Sequence, residues 1–243
     1  MKQDLTQIAV ILDRSGSMCS CQKQTIDNFN EFVNSQKAQP GEARLRLVQF
    51  DDRYEFLYDK PIHAVEPLTE TTFVPRGMTA LNDAIGRTCD ELGKFLESMP
   101  EHDRPGKVIV VILTDGCEND SKRYTKWQVA GIVKHQRDKY NWAFIFMGAD
   151  EHAVLQAQQY NIPIGNAIHY NVADPTAYRG GTATMSNTVS VYRQTGALQS
   201  FTQKDRDQAA GNTVVPNTAG GSNVTIVIPG DDTDTTITPP GVA

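Results

Sequence analysis

Lys107-Val-Ile-Val-Val-Ile-Leu-Thr-Asp-Gly116 decides the fold. From Val108 to Leu113 every side chain is apolar, and all but the last are β-branched. A strand with one wet face would alternate apolar and polar residues. A continuous run signals burial on both faces, the condition of a central strand in a parallel sheet covered by helices. The run stops at Thr114-Asp115-Gly116, a turn sequence that leaves a carboxylate at the strand's carboxyl end.

The neighbouring segments extend the same pattern. Upstream, Gln7 to Asp13 (Gln-Ile-Ala-Val-Ile-Leu-Asp) reads as a second buried strand. Residues 18–37 space Met18, Ile26, Phe29, Phe32 and Val33 as one face of a helix. Arg44 to Phe50 alternates as a strand, Asp51-Asp52-Arg53 is a turn, and residues 54–58 return as a third strand. That link is too short for a parallel crossover, so the pair is an antiparallel hairpin. Pro61, Pro67, Pro75 and Gly77 make residues 61–78 an irregular connection. Leu81, Ile85, Leu92, Phe95 and Leu96 mark a helix over 80–98. Downstream come a helix near 125–140, a strand at 142–147 and a helix near 151–160. A weak strand near 167–170 and a helix near 182–195 follow.

Strands alternating with helices predict an α/β fold with a mostly parallel sheet. Right-handed crossovers allow the strand order 3-2-1-4-5-6, with the hairpin strand as the one antiparallel edge and helices on both faces. Residues 1–198 are expected to form this domain. Residues 199–243 are rich in Thr, Gly, Asn, Asp and Pro, and read as a flexible polar extension that buries too little apolar surface to order itself. Within it, Asn223-Val-Thr-Ile-Val-Ile-Pro229 has the alternation of a strand.

Composition narrows the function. The chain has 243 residues and a formal net charge of -6. That balance offers no electrostatic footprint for nucleic acid or an acidic membrane. The apolar run Ile8 to Leu12 is too short for a signal peptide or a membrane span, so a cytoplasmic protein, or a virion component released by lysis, is expected. Cys19, Cys21, Cys89 and Cys117 lack the usual zinc spacings and are read as reduced thiols. The five histidines show no ligand spacing either.

Three short pieces carry chemistry. Asp13-Arg14-Ser15-Gly16-Ser17 leaves the first strand, Thr79 precedes the helix at Leu81, and Thr114-Asp115-Gly116 leaves the central strand. Each alone also reads as helix or turn capping. In an open parallel sheet, however, a ligand crevice lies beyond the carboxyl ends of the strands where their order reverses. The predicted order makes the first and central strands neighbours, so Asp13 and Asp115 would lie side by side there. Two carboxylates and three hydroxyls form an all-oxygen set. Such a set suits a hard cation, Mg²⁺ above all, with Mn²⁺ or Ca²⁺ as substitutes. Glu118, Asn119 and Asp120 read as a solvated helix start, and Asp51 and Asp52 as ordinary turn acids.

Asp-x-Ser-x-Ser, a distant Thr and a later Thr-Asp-Gly, in this order, resemble the metal-ion-dependent adhesion site of von Willebrand factor A domains. The resemblance covers about residues 5–196. It extends to Val48-Gln49-Phe50-Asp51 and Pro75-Arg76-Gly77-Met78-Thr79-Ala80-Leu81, which look like the compact single-domain versions of bacteria and phages. It implies a Rossmann-like three-layer sandwich. It also implies Ser15, Ser17 and Thr79 as direct metal ligands, with Asp13 and Asp115 acting largely through water or hydrogen bonds. The function that follows is a non-enzymatic module that engages an Asp or Glu of a protein partner through the bound metal. An alternative is an assembly component, for instance of a phage virion, that adds Val224–Ile228 to a partner's sheet. A metal-dependent phosphohydrolase ranks last, since no second-metal carboxylate set and no general base stand out.

Overall fold

The central run becomes the fourth of six strands. The structure is a computed structural model that describes residues 1–149 and 152–212. In chain order the elements are β1 (Lys2–Asp13), α1 (Gln22–Lys37), β2 (Glu42–Phe50), β3 (Tyr54–Pro61), α2 (Leu81–Ser98), β4 (Pro105–Thr114), α3 (Lys126–Tyr140), β5 (Ala143–Gly148), α4 (Ala153–Gln159), β6 (Ala167–His169), α5 (Pro175–Thr195) and α6 (Gln203–Ala210). Short 3-10 turns join several of them, among them Gly16–Cys21 directly after β1.

The sheet runs β3-β2-β1-β4-β5-β6. Every pairing is parallel except β2 with β3. Leu12 lies opposite Leu113, so Asp13 and Thr114 leave the sheet together at its carboxyl edge. Alternate residues of β1 and β4 feed two cores. Val10, Leu12, Val111 and Leu113 pack under α1, α5 and α6, through residues such as Phe29, Phe32, Met185, Val189 and Ala209. Ala9, Ile11, Val110 and Ile112 pack under α2, α3 and α4, through Leu81, Ile85, Val129, Val133 and Ala157. Both faces are dry, which is why the β4 sequence shows no alternation.

Several boundaries differ from the sequence reading: β1 already starts at Lys2, and α1 only at Gln22. Helix α5 starts seven residues before 182, because Asp174 caps it, accepting from the amides of Thr176 and Ala177, and Pro175 occupies its first turn. The described fold also continues beyond 198, through α6 to residue 212. Thr202 and Asp205 close a capping box on α6, and Phe201 and Ala209 are buried. Arg206 donates to the carbonyls of Ala167 (2.6 Å) and Ile164 (2.9 Å). A polar composition hid this helix, whose single apolar contact face is short. The expected strand at 223–229 lies outside the described residues. Among the described residues no helix is long and apolar enough to cross a membrane.

Candidate metal centre

The two strand ends supply the floor of the site. Asp13 is fully buried. One of its carboxylate oxygens accepts the Ser15 amide at 2.7 Å, which turns the chain sharply after β1. The other accepts the Thr114 hydroxyl at 2.6 Å, tying β1 to β4. Ser15 is buried and its hydroxyl lies 3.1 Å from that of Ser17. Ser17 is exposed and donates to Asp115 at 2.7 Å. Met18, wholly buried, anchors the turn that carries these serines, and its amide donates to the Ser15 carbonyl at 3.0 Å.

Thr79 enters from the third segment. Its side chain is 3% exposed. A Cβ placed on Gly116 would stand 3.7 Å from the Thr79 hydroxyl and 3.9 Å from that of Ser17, so Thr79 and Ser17 both face the β4 turn. All five residues singled out in the sequence, Asp13, Ser15, Ser17, Thr79 and Asp115, thus gather at the carboxyl ends of β1 and β4. Asp13, Ser15 and Thr79 form a buried floor, while Ser17 and the half-buried Asp115 face outward.

Residues read as ordinary turn or helix-start groups hold this cluster. The Thr79 amide donates to Asn119 Oδ1 at 2.8 Å, and the Asn119 amide returns a bond to the Thr79 carbonyl at 3.0 Å. Glu118 accepts from the amides of Asn82 (2.7 Å), Asp120 (3.0 Å) and Ser121 (2.7 Å), so it caps α2 as well as its own turn. Glu118 and Asn119 therefore stitch the β4 loop to the start of α2. Asp51 likewise is no solvated turn acid: it is fully buried between two arginines. Each of the three also has a partner tens of residues away in sequence, and no local signal announces that partner.

The electrostatics fit a cation. Burial is the main force on Asp13 and pushes its carboxyl up to about 6; the bonds from Thr114 and Ser15 pull it back, and the charge of Asp115 adds to the rise. Asp115 is raised too, again chiefly by burial, with Ser17 opposing. No cationic side chain figures among these influences. Arg14, although it sits between Asp13 and Ser15 in sequence, turns towards β2 and β3 and bonds Asp51 and Glu55. One fully and one partly buried carboxylate, with no balancing cation among the described residues and ringed by neutral hydroxyls, match a hard divalent ion in donor type and charge. Among the described residues no cluster of three or more His, Cys, Asp or Glu offers a softer or more acidic metal site. The four cysteines form no disulfide; Cys19 and Cys117 are exposed, and Cys21 and Cys89 are buried.

Comparison with known proteins fixes the fold. No family model matches the sequence, and no curated protein matches it. Solved structures do match. Proximal thread matrix protein 1 from the mussel byssus, with a zinc-occupied MIDAS motif, superposes with a TM-score of 0.52 at 15% identity over 79% of this chain and 47% of that one. A von Willebrand factor type A structure from Catenulispora acidiphila gives 0.52 at 15% identity, over 77% and 43%. The open conformation of the pilus adhesin SpaC from Lactobacillus rhamnosus GG gives 0.56 at 13% identity, over 78% and 30%. This chain spans less than half of the length of each. Strand order, the single antiparallel pair and these superpositions agree: the chain has the fold of a von Willebrand factor A domain.

Proposed function

We propose that the chain is a protein-binding module that works through a divalent cation, Mg²⁺ in its resting setting. Ser15, Ser17 and Thr79 would hold the ion directly, with Asp13 and Asp115 behind them. The observation that carries this reading is Asp13: a wholly buried carboxylate at a strand end, bonded only by neutral donors and joined by hydroxyls from separate segments. The ion supplies a strong positive contact point. Ligation by neutral hydroxyls leaves that charge available to an incoming anion, and Ser17 and Asp115 mark the open side from which a partner's Asp or Glu can reach it. Mg²⁺ leads because every donor is oxygen; Mn²⁺ and Ca²⁺ are the expected substitutes, and the zinc in the mussel protein supports a divalent ion of some kind.

We read the module as a binder and not a catalyst, since the protic groups of the cluster bond one another: Ser17 donates to Asp115 and Thr114 to Asp13. Titration calorimetry with Mg²⁺ and Mn²⁺, followed by partner capture with and without EDTA, tests the proposal. Wild type should bind one ion and capture protein only with metal, and Asp115→Ala should do neither. No heat of binding at millimolar metal would sink it. A Mg²⁺-dependent phosphatase activity lost in Asp115→Ala would replace it with an enzymatic reading.

A further inference from the structure

Arg14 and Arg76 stand in the two loops that must close on the ion. Arg14 Nε donates to Asp51 Oδ2 at 3.0 Å, and Arg76 Nε donates to the same oxygen at 2.9 Å. Glu55, on β3, takes the other ends: Arg14 Nη1 at 2.9 Å and Arg76 Nη2 at 2.7 Å. The remaining Asp51 oxygen accepts the Arg53 amide at 2.7 Å, which fixes the β2–β3 turn. Backbone bonds run alongside. The Arg76 amide meets the Arg14 carbonyl at 2.8 Å, the Gly16 amide meets the Gly77 carbonyl at 3.1 Å, and the Ala80 amide meets the Asp51 carbonyl at 2.9 Å. The serine loop, the threonine loop and the hairpin turn are thereby one object.

We propose that Arg14, Asp51, Arg76 and Glu55 form a positioning clamp that sets Ser15 and Ser17 against Thr79 and so fixes the affinity of the cation site without touching the ion. The inference rests on the metal reading above. Two guanidinium groups meet two carboxylates, so the clamp is neutral as a whole and withdraws the charge of Arg14 from the neighbourhood of Asp13. Its value lies in geometry. A small octahedral ion demands oxygens placed within a few tenths of an ångström, and loops held by one bond each would not supply that. Groups that orient metal ligands from behind typically change affinity roughly 10–100-fold when removed.

Arg76 and Glu55 are each nearly half exposed, so Arg76→Gln and Glu55→Gln should fold. They change local charge in opposite senses, which separates positioning from a simple field effect. A field effect alone would make Arg76→Gln bind Mn²⁺ more tightly and Glu55→Gln more weakly. The clamp requires both to bind Mn²⁺ more weakly, by about tenfold. Amide hydrogen exchange in chelator gives a reading without metal. In Arg76→Gln the amides of Gly16 and Arg76, which bridge the loops, should exchange several times faster, while those of Val110 and Val111 in β4 should keep wild-type protection. Unchanged or tighter Mn²⁺ binding by Arg76→Gln overturns the inference. So does a loss of affinity that comes with faster exchange throughout β4. Wild type that binds no Mn²⁺ would instead sink the metal reading itself, and the inference with it.

Discussion

Asp13 ends β1, Asp51 directly follows the neighbouring β2, and both are fully buried. Their surroundings are opposite. Asp51 lies between the guanidinium groups of Arg14 and Arg76 at 3.0 and 2.9 Å. Asp13 has an amide at 2.7 Å and a hydroxyl at 2.6 Å, and burial drives its carboxyl up to about 6. One carboxylate is balanced within the fold. The other is buried with neutral donors alone, and on the proposed reading a bound cation supplies its balance. The same residue type at two adjacent strand ends thus meets two environments, and the partner charges tell them apart.

The largest effect should come from breaking the balanced member. Asp51→Ala leaves the buried guanidinium of Arg14 without its closest carboxylate and frees the hairpin turn. Removing one partner of a buried ion pair generally costs about 3–5 kcal/mol. Urea unfolding in chelator should show a loss of that order. A loss under about 1 kcal/mol would mean that Glu55 alone can satisfy both arginines, and the contrast between the two aspartates would fade.

Supplying the missing charge is next in size. Metal at 100 times its dissociation constant should stabilise wild type by about 2.7 kcal/mol, which is roughly a 5–10 °C rise in melting temperature for a domain of this size. Asp115→Ala should melt at the same temperature with and without metal. If Mg²⁺ and Mn²⁺ leave the wild-type melting temperature unmoved, Asp13 is merely a buried acid tying β1 to β4.

Gly77 joins the two regions, and its substitution should be milder. Its φ of 68° lies in the left-handed region, and a Cβ there would fall 2.1 Å from Asp52 Oδ1. Left-handed backbone costs a non-glycine residue about 1–2 kcal/mol. The half-exposed Asp52 can swing away, so Gly77→Ala should lose about that much stability in chelator. It should also weaken Mn²⁺ binding, because the strained loop carries Thr79. Stability lost with unchanged metal affinity would show that the Gly77 turn does not govern where Thr79 sits.

Most of the frame was legible because it follows from periodicity and handedness. The unbroken Val108–Leu113 run requires a central strand, the short Asp51–Arg53 link requires a hairpin, and right-handed crossovers then leave few strand orders. That the five cluster residues would gather was legible because the three pieces, each commonplace as a cap alone, stand in order at strand and helix edges. The supports were not. Asp51, Glu118 and Asn119 look like turn residues, and only the fold brings Arg76, Asn82 and Thr79 to them. The start of α5 carried a local signal in Asp174-Pro175 that apolar spacing outweighed. For α6 the Thr202 and Asp205 capping pair was present, but a short helix in polar sequence has too weak a hydrophobic period to register.

The smallest effect on stability, and the sharpest on function, should come from Asp13→Asn. Asparagine has nearly the shape of aspartate, so the core around it need not move. Its carbonyl can still accept the Ser15 amide. Its NH₂ group would then face the Thr114 hydroxyl, which now donates to Asp13. That hydroxyl has a second acceptor at hand, the Gly116 carbonyl at 3.0 Å, so it can rotate, donate there and accept from the asparagine. Every polar atom keeps a partner, and a buried charge that no described cation balances is gone. In chelator, urea unfolding should therefore differ from wild type by no more than about 1 kcal/mol, the worth of one ordinary hydrogen bond, and a gain is as consistent as no change. Metal binding should nevertheless collapse, because the site has lost half of its carboxylate charge. Asp51→Asn cannot be rescued the same way: its NH₂ group would oppose a guanidinium, and no hydroxyl stands there to reverse. If Asp13→Asn destabilises the metal-free fold as severely as Asp51→Asn does, the charge on Asp13 serves the fold and not a ligand.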